Sequence, residues 1–222
     1  MDKIQNNLSS PSFEEFIDFL FDHEVTPTPE TQNDAVEPWC WHSEVEYDPV
    51  AVVGYYIRLF SNPRFLLLKF SRDQLEQGFW EILSGNLECS VNQVIWNKGV
   101  SFEVREHCVQ SMFHLFEKLF AYDSFDTSVN MWWDSLAYDW HCGNRSRSNG
   151  GEDQLMQDVL FQTLGRILSL PSEACQMSAL HGLGHLHHPD TQSLIDRFLR
   201  ENGSVSAKLR DYAQEAARFE VL

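Results

Sequence analysis

The sequence is poor in positive charge: 16 lysines and arginines stand against 33 aspartates and glutamates, a formal net charge of -17. A surface of that sign repels phosphate backbones unless basic side chains gather on one face. The nearest approach to such a patch is Arg145 with Arg147, in the Gly- and Ser-rich stretch HCGNRSRSNGGED that reads as a solvated loop. Nucleic acid is therefore not an expected partner. Also missing is any run of about eighteen apolar residues, so no membrane span is expected. No basic and apolar leader opens the chain, which gives a cytoplasmic protein as the expectation. The five cysteines, at 40, 89, 108, 142 and 175, are scattered and form no Cys-x-x-Cys pair, so reduced thiols packed in the core are expected instead of a disulfide framework.

Familiar catalytic signatures are missing too. The chain contains no P-loop, no Gly-x-Ser-x-Gly elbow, no Gly-x-Gly-x-x-Gly and no His-Glu-x-x-His. None of the nine histidines has a glutamate three residues before it, which removes the carboxylate-bridged bundle of the Glu-x-x-His type. On this ground no catalytic residue, cofactor or metal is expected. No long stretch alternates apolar and polar residues, so strands are not expected either.

What is present is a succession of helical patterns with their own starts and stops. Phe13, Phe16, Ile17 and Leu20 fall at helical spacing behind Pro11, predicting an amphipathic helix within residues 1–24. Residues 25–47, with three prolines, read as a linker pinned at its end by Trp39 and Trp41. From Asp48 to the last residue the chain reads as one helical domain. Asp48-Pro49 opens a helix, Ser71 with Gln74 forms a capping box for the next, and Ser101 starts a third whose buried side carries Cys108, Met112 and Leu115. A tryptophan-rich helix follows in DTSVNMWWDSLAYDW. Trp132, Trp133, Tyr138 and Trp140 lie on both of its faces, and at least one of them is expected to line a groove or touch a partner.

The stretch CQMSALHGLGHLHHPDTQSLIDRFL places four histidines, 181, 185, 187 and 188, within eight residues. His181 and His185, four apart, share one helix face and could bind a metal if a third ligand arrived from elsewhere; Glu103 and Cys142 are the candidates weighed for it. A second constellation, Glu103, His107, His114 and Glu117, runs along one helix and reads as an exposed salt-bridging face. The expectation adopted is that His181 and His185 are partly exposed and hold no metal, while Leu180, Leu183 and Leu186 are buried. Gly182 and Gly184 read as a close helix seam, because each glycine costs about 1 kcal/mol relative to alanine inside a helix unless packing requires it.

The run Ala179 to Leu186, the Pro189-Asp190 turn and the following Leu194, Ile195 and Leu199 resemble a unit of the HEAT-repeat class. A weaker copy spans Lys208 to Ala217, with Ala213 set against Ala179. The resemblance covers residues 152–222 and implies an all-α, irregular α-solenoid of short antiparallel helices. Proteins of that class bind other proteins on a concave face. The resulting expectation is a non-enzymatic cytoplasmic scaffold that binds another protein, cationic in view of the charge, as an immunity-type inhibitor of a bacterial toxin or effector would. Trp132, Trp133, Tyr138, Trp140, His181 and His185 are the expected contact residues. The alternative is a metal-dependent enzyme or small-ligand-binding helical protein built on the histidine-rich helices.

Overall fold

Caps written in the sequence set the helix starts. In the computed structural model, which describes residues 4–25, 39–123, 125, 129 and 131–221, helix α1 (Phe13–Phe21) opens with a reciprocal capping box between Ser12 and Glu15. Helix α2 (Pro49–Ser61) takes Asp48 as its cap and proline in its first turn. A one-turn helix α3 (Leu66–Lys69) leads to α4 (Arg72–Glu81), opened by the Ser71–Gln74 box. Then come α5 (Val91–Ile95), capped by Ser90, and α6 (Phe102–Leu115), which runs on into a wider, π-type turn at Phe116–Phe120. The later helices are α7 (Asp134–His141), α8 (Gly151–Leu168), α9 (Glu173–Leu186), α10 (Thr191–Glu201) and α11 (Ala207–Ala217). The chain is mostly helical, as the patterns require. Among the described residues no helix is long and apolar enough to cross a membrane.

Two short strands depart from the all-helical expectation. Strand β1 (Ile4–Leu8) pairs in parallel with β2 (Ser43–Tyr47), in the register Ile4 opposite Ser43 through Leu8 opposite Tyr47. The second strand falls at the end of the segment read as linker, in SEVEY. There Ser43 and Val45 point inward and Glu44 and Glu46 outward, a period-two signal only five residues long. Parallel strands need a crossover, and α1 lies within it. Residues 26–38, with the linker prolines, lie outside the described residues, as do 126–128 at the start of the tryptophan-rich segment.

The N-terminal helices pack through aromatic rings. Phe16 and Phe21 of α1 meet Tyr56 and Phe79 edge to face, and Phe79 in turn meets Phe120, Phe125 and Trp132. Helix α2 packs on α6, and α6 on α8.

Helix α9 occupies the centre of the C-terminal part, packed against α7, α8 and α11, while α10 packs on α11 and α8. Every residue from Ser178 to Leu186 is buried. The glycines permit this. A Cβ on Gly182 would stand 2.7 Å from Trp133 Cγ and 2.8 Å from a Leu164 methyl, and one on Gly184 would stand 2.4 Å from a Val221 methyl. The C-terminal end of α9 is closed by the buried Gln157 amide, which donates to the Leu186 carbonyl at 2.8 Å, and by His187 in the left-handed conformation (φ 52°).

Candidate metal centre

Helix α7 begins at Asp134, and Tyr138 and His141 follow at i+4 and i+7, so the three side chains share one face. Helix α9 crosses that face and presents His181 and His185, themselves four apart. The result is a triangle of donor atoms. Asp134 Oδ1 lies 2.6 Å from His181 Nε2 and 3.2 Å from His185 Nε2, and the two nitrogens are 3.1 Å apart. Among the described residues these three form the one group of histidine, cysteine and carboxylate donors close enough to share a metal ion. Ligands held about 2.0–2.2 Å from one ion stand roughly 2.9–3.4 Å from each other. Two edges of the triangle already match, and the Asp134–His181 edge needs to open by only a few tenths of an ångström.

The surroundings orient these donors. His181 Nδ1 meets the Tyr212 hydroxyl of α11 at 2.6 Å. With Nε2 on a metal, the Nδ1–H donates to that phenolic oxygen, which fixes the ring plane. Burial, with the Asp134 and Glu215 carboxylates adding to it, pushes the Tyr212 phenol up to about 12, so it stays protonated. Burial also acts to raise the Asp134 carboxyl, but the hydrogen bonds and charges of His181 and His185 outweigh it and hold the group well below the usual carboxylate range. Asp134 is thus an anion aimed at two imidazoles. Among the described residues no group accepts from His185 Nδ1, and its ring is held instead by edge contacts with Tyr138 and His141.

The remaining histidines of the cluster have other tasks. His188 accepts from the Asp190 backbone N–H through Nδ1 at 3.1 Å, so its Nε2 donates to Asp158 at 2.9 Å, and its ring stacks on Phe161. Both nitrogens are spent on structure. His187 Nε2 lies 3.1 Å from His141 Nδ1, and its ring stacks on Phe219.

Two open clefts reach the triangle. One, of about 380 Å³, is lined by Asp134, Tyr138, His141, His185 and Val221 and touches two of the three donors. The other, of about 360 Å³, is walled by Trp41, Trp80, Leu83 and Met131 and has Asp134 at its edge.

Several site expectations change against this geometry. His181 and His185 are buried, at 8% and 3% exposure, not partly exposed, because α9 is covered on the side where a polar rim was expected. Leu180, Leu183 and Leu186 are buried as expected. Trp132 and Trp133 are fully enclosed and Trp140 is buried, so none of these indoles offers a surface to a partner; they fill the space between α7, α9 and the aromatic N-terminal core. Tyr138 alone of the four remains exposed. Neither Glu103 nor Cys142 supplies the third donor. Glu103 and His107 are exposed on α6, and Cys142 is exposed after α7, the one thiol of the five outside the core. Asp134 was the residue missed. Its signal was the Asp134, Tyr138, His141 stripe, hidden among the tryptophans of the same segment.

No protein-family model, no curated protein and no solved structure matches this chain. A mostly helical protein with two buried imidazoles facing one half-buried carboxylate is the class that the fold and the site define.

Proposed function

We propose that the protein is a metal-dependent enzyme whose mononuclear centre is held by Asp134, His181 and His185. The observation that carries this is the convergence of three donor atoms, drawn from two helices, within 3.2 Å of one another, with both imidazoles buried and Asp134 half-buried. Two nitrogens and one oxygen suit a divalent first-row transition ion, and three protein ligands on one face leave positions for water and substrate, as catalytic sites do and closed structural sites do not. Such an ion supplies Lewis acidity and makes a bound water acidic enough to react near neutral pH. The chain's own residues do the rest: Tyr212 holds the His181 ring, and the cleft past Tyr138 and His141 admits solvent to Asp134 and His185.

The test is metal analysis of protein expressed with zinc, iron, cobalt and manganese supplied. One equivalent is expected in the native protein and a loss of most of it in Asp134→Ala and His185→Ala, with circular dichroism unchanged. Native protein free of stoichiometric metal under all four supplies sinks the proposal.

A second reading keeps its own support. The net charge of -17 and the exposed Tyr138 favour a scaffold that docks a cationic protein, such as the target of an immunity-type inhibitor. The packing of α8 with α9, α10 with α11, α9 with α11 and α8 with α10 supports a stack of two HEAT-like pairs, with Ala179 and Ala213 both fully buried at their seams. The two readings are compatible, because a helical stack is a frame on which a metal centre can be hung.

A further inference from the structure

We infer that the cleft walled by Trp41, Trp80, Leu83 and Met131 is the substrate cleft of the metal centre, and that it takes a small molecule carrying a flat, uncharged apolar ring next to an oxygen that reaches the metal. This rests on the metal-centre reading and names its substrate class.

Four observations converge on it. Trp41, Trp80 and Met131 are 49%, 41% and 38% exposed, and three large apolar side chains gathered around one opening lose burial that the fold could have used elsewhere. Asp134, a donor of the triangle, forms the edge of this cleft, so a ligand lying along the indoles ends beside the metal. The volume, about 360 Å³, lies in the range of small-molecule sites and suits one substituted ring. Among the described residues the lining includes no lysine, arginine or histidine, so an anionic ring substituent has no cationic partner among them and the ligand's anionic or carbonyl oxygen belongs at the metal end. The polar lining is Glu81, Ser84, Asn86, Asp134 and Ser135, and part of it is already engaged. The buried Glu81 carboxyl is held by the Cys40 thiol, and the Ser135 hydroxyl donates to the Leu83 carbonyl. Shape and apolar contact on the indoles, more than hydrogen bonding, therefore select the ring.

The experiment uses the cobalt(II)-loaded full chain and two probes with the same metal-binding head, benzohydroxamate and acetohydroxamate. Binding is followed by the cobalt visible spectrum and by tryptophan fluorescence. The native protein is expected to prefer benzohydroxamate by about tenfold or more, the amount one well-stacked ring contributes. In the double variant Trp41→Ala/Trp80→Ala that preference should fall to near one while cobalt stoichiometry and acetohydroxamate affinity stay unchanged. The single variant Trp80→Leu, which keeps apolar bulk, should retain an intermediate preference and guards against a folding defect. Equal binding of both probes by the native protein, or a preference that survives the double variant, overturns the inference. Failure of the native chain to take up cobalt is a different outcome: it removes the metal centre itself, and this inference falls with it.

Discussion

The two ends of the molecule bury different things. Helix α1 hides Phe13, Phe16, Ile17, Leu20 and Phe21, an apolar stripe whose burial needs no further account. Helix α9 hides Ser178, His181 and His185 among its leucines, and Gln157, Thr163, His188 and Thr191 lie buried on the elements around it. A buried polar group without a partner costs roughly 1–3 kcal/mol, so a helix that carries two interior imidazoles must recover that cost through specific contacts or a bound group. Apolar burial at one end builds the frame. The polar burial around α9 coincides with the proposed metal centre.

The largest expected effect separates frame from site. Phe79→Ala removes a fully buried ring that meets Phe21, Phe120, Phe125 and Trp132, and should lower stability by about 3–5 kcal/mol. The fraction that remains folded should bind metal at the native stoichiometry. A thermal scan with metal analysis of the folded protein checks both parts, and lost stoichiometry would erase the distinction drawn between the two regions.

Next in size is the seam that lets α9 sink into the centre. In an exposed helix Gly182→Ala would gain about 1 kcal/mol. Here the added methyl meets the Trp133 ring and Leu164, so a loss of about 1–3 kcal/mol is expected, and Gly182→Leu should be worse. Urea denaturation of both variants reads the sign directly; a gain for alanine contradicts the close approach.

Tyr212→Phe sharpens the comparison from the site's side. Losing the hydroxyl that holds His181 Nδ1 should weaken metal affinity by about 10–100-fold and leave the metal-free thermal midpoint nearly in place. Competition against a chromogenic chelator measures the affinity, and an unchanged constant would mean that Tyr212 does not orient the ring.

The smallest effect belongs to Glu81. Burial raises this carboxyl above its usual value, against a lesser lowering by the Cys40 hydrogen bond. The folded state then holds the proton more tightly than the unfolded chain. Its contribution is complete below the ordinary carboxylate pKa and is lost as pH rises through the raised one. Glu81→Gln does not titrate, so its midpoint relative to the native protein should rise as pH is raised above the ordinary carboxylate pKa. A difference independent of pH in paired melts contradicts the raised carboxyl.

Much of the frame was legible in the sequence because its signals are local. The Ser71–Gln74 box, Asp48-Pro49 and the stripe of α1 lie within a turn or two of the helices they start. The strands were not legible. Each is five residues long, and each is made a strand by a partner about forty residues away. Half of the site was legible for the same reason: His181 and His185 are four apart on one helix, whereas Asp134 meets them only because α7 packs across α9. Their burial was not legible either. A helix enclosed on several sides shows no polar face to mark its surroundings: its glycines carry the pattern of a close seam, but histidines four apart carry the same pattern on a covered face as on an open rim.

The most direct measurement is anomalous diffraction at the zinc edge from crystals grown with zinc. A single strong peak is expected about 2.0–2.2 Å from Asp134 Oδ1, His181 Nε2 and His185 Nε2 together. A map without a peak at those three atoms, in crystals where Asp134 still faces both imidazoles, would contradict the account.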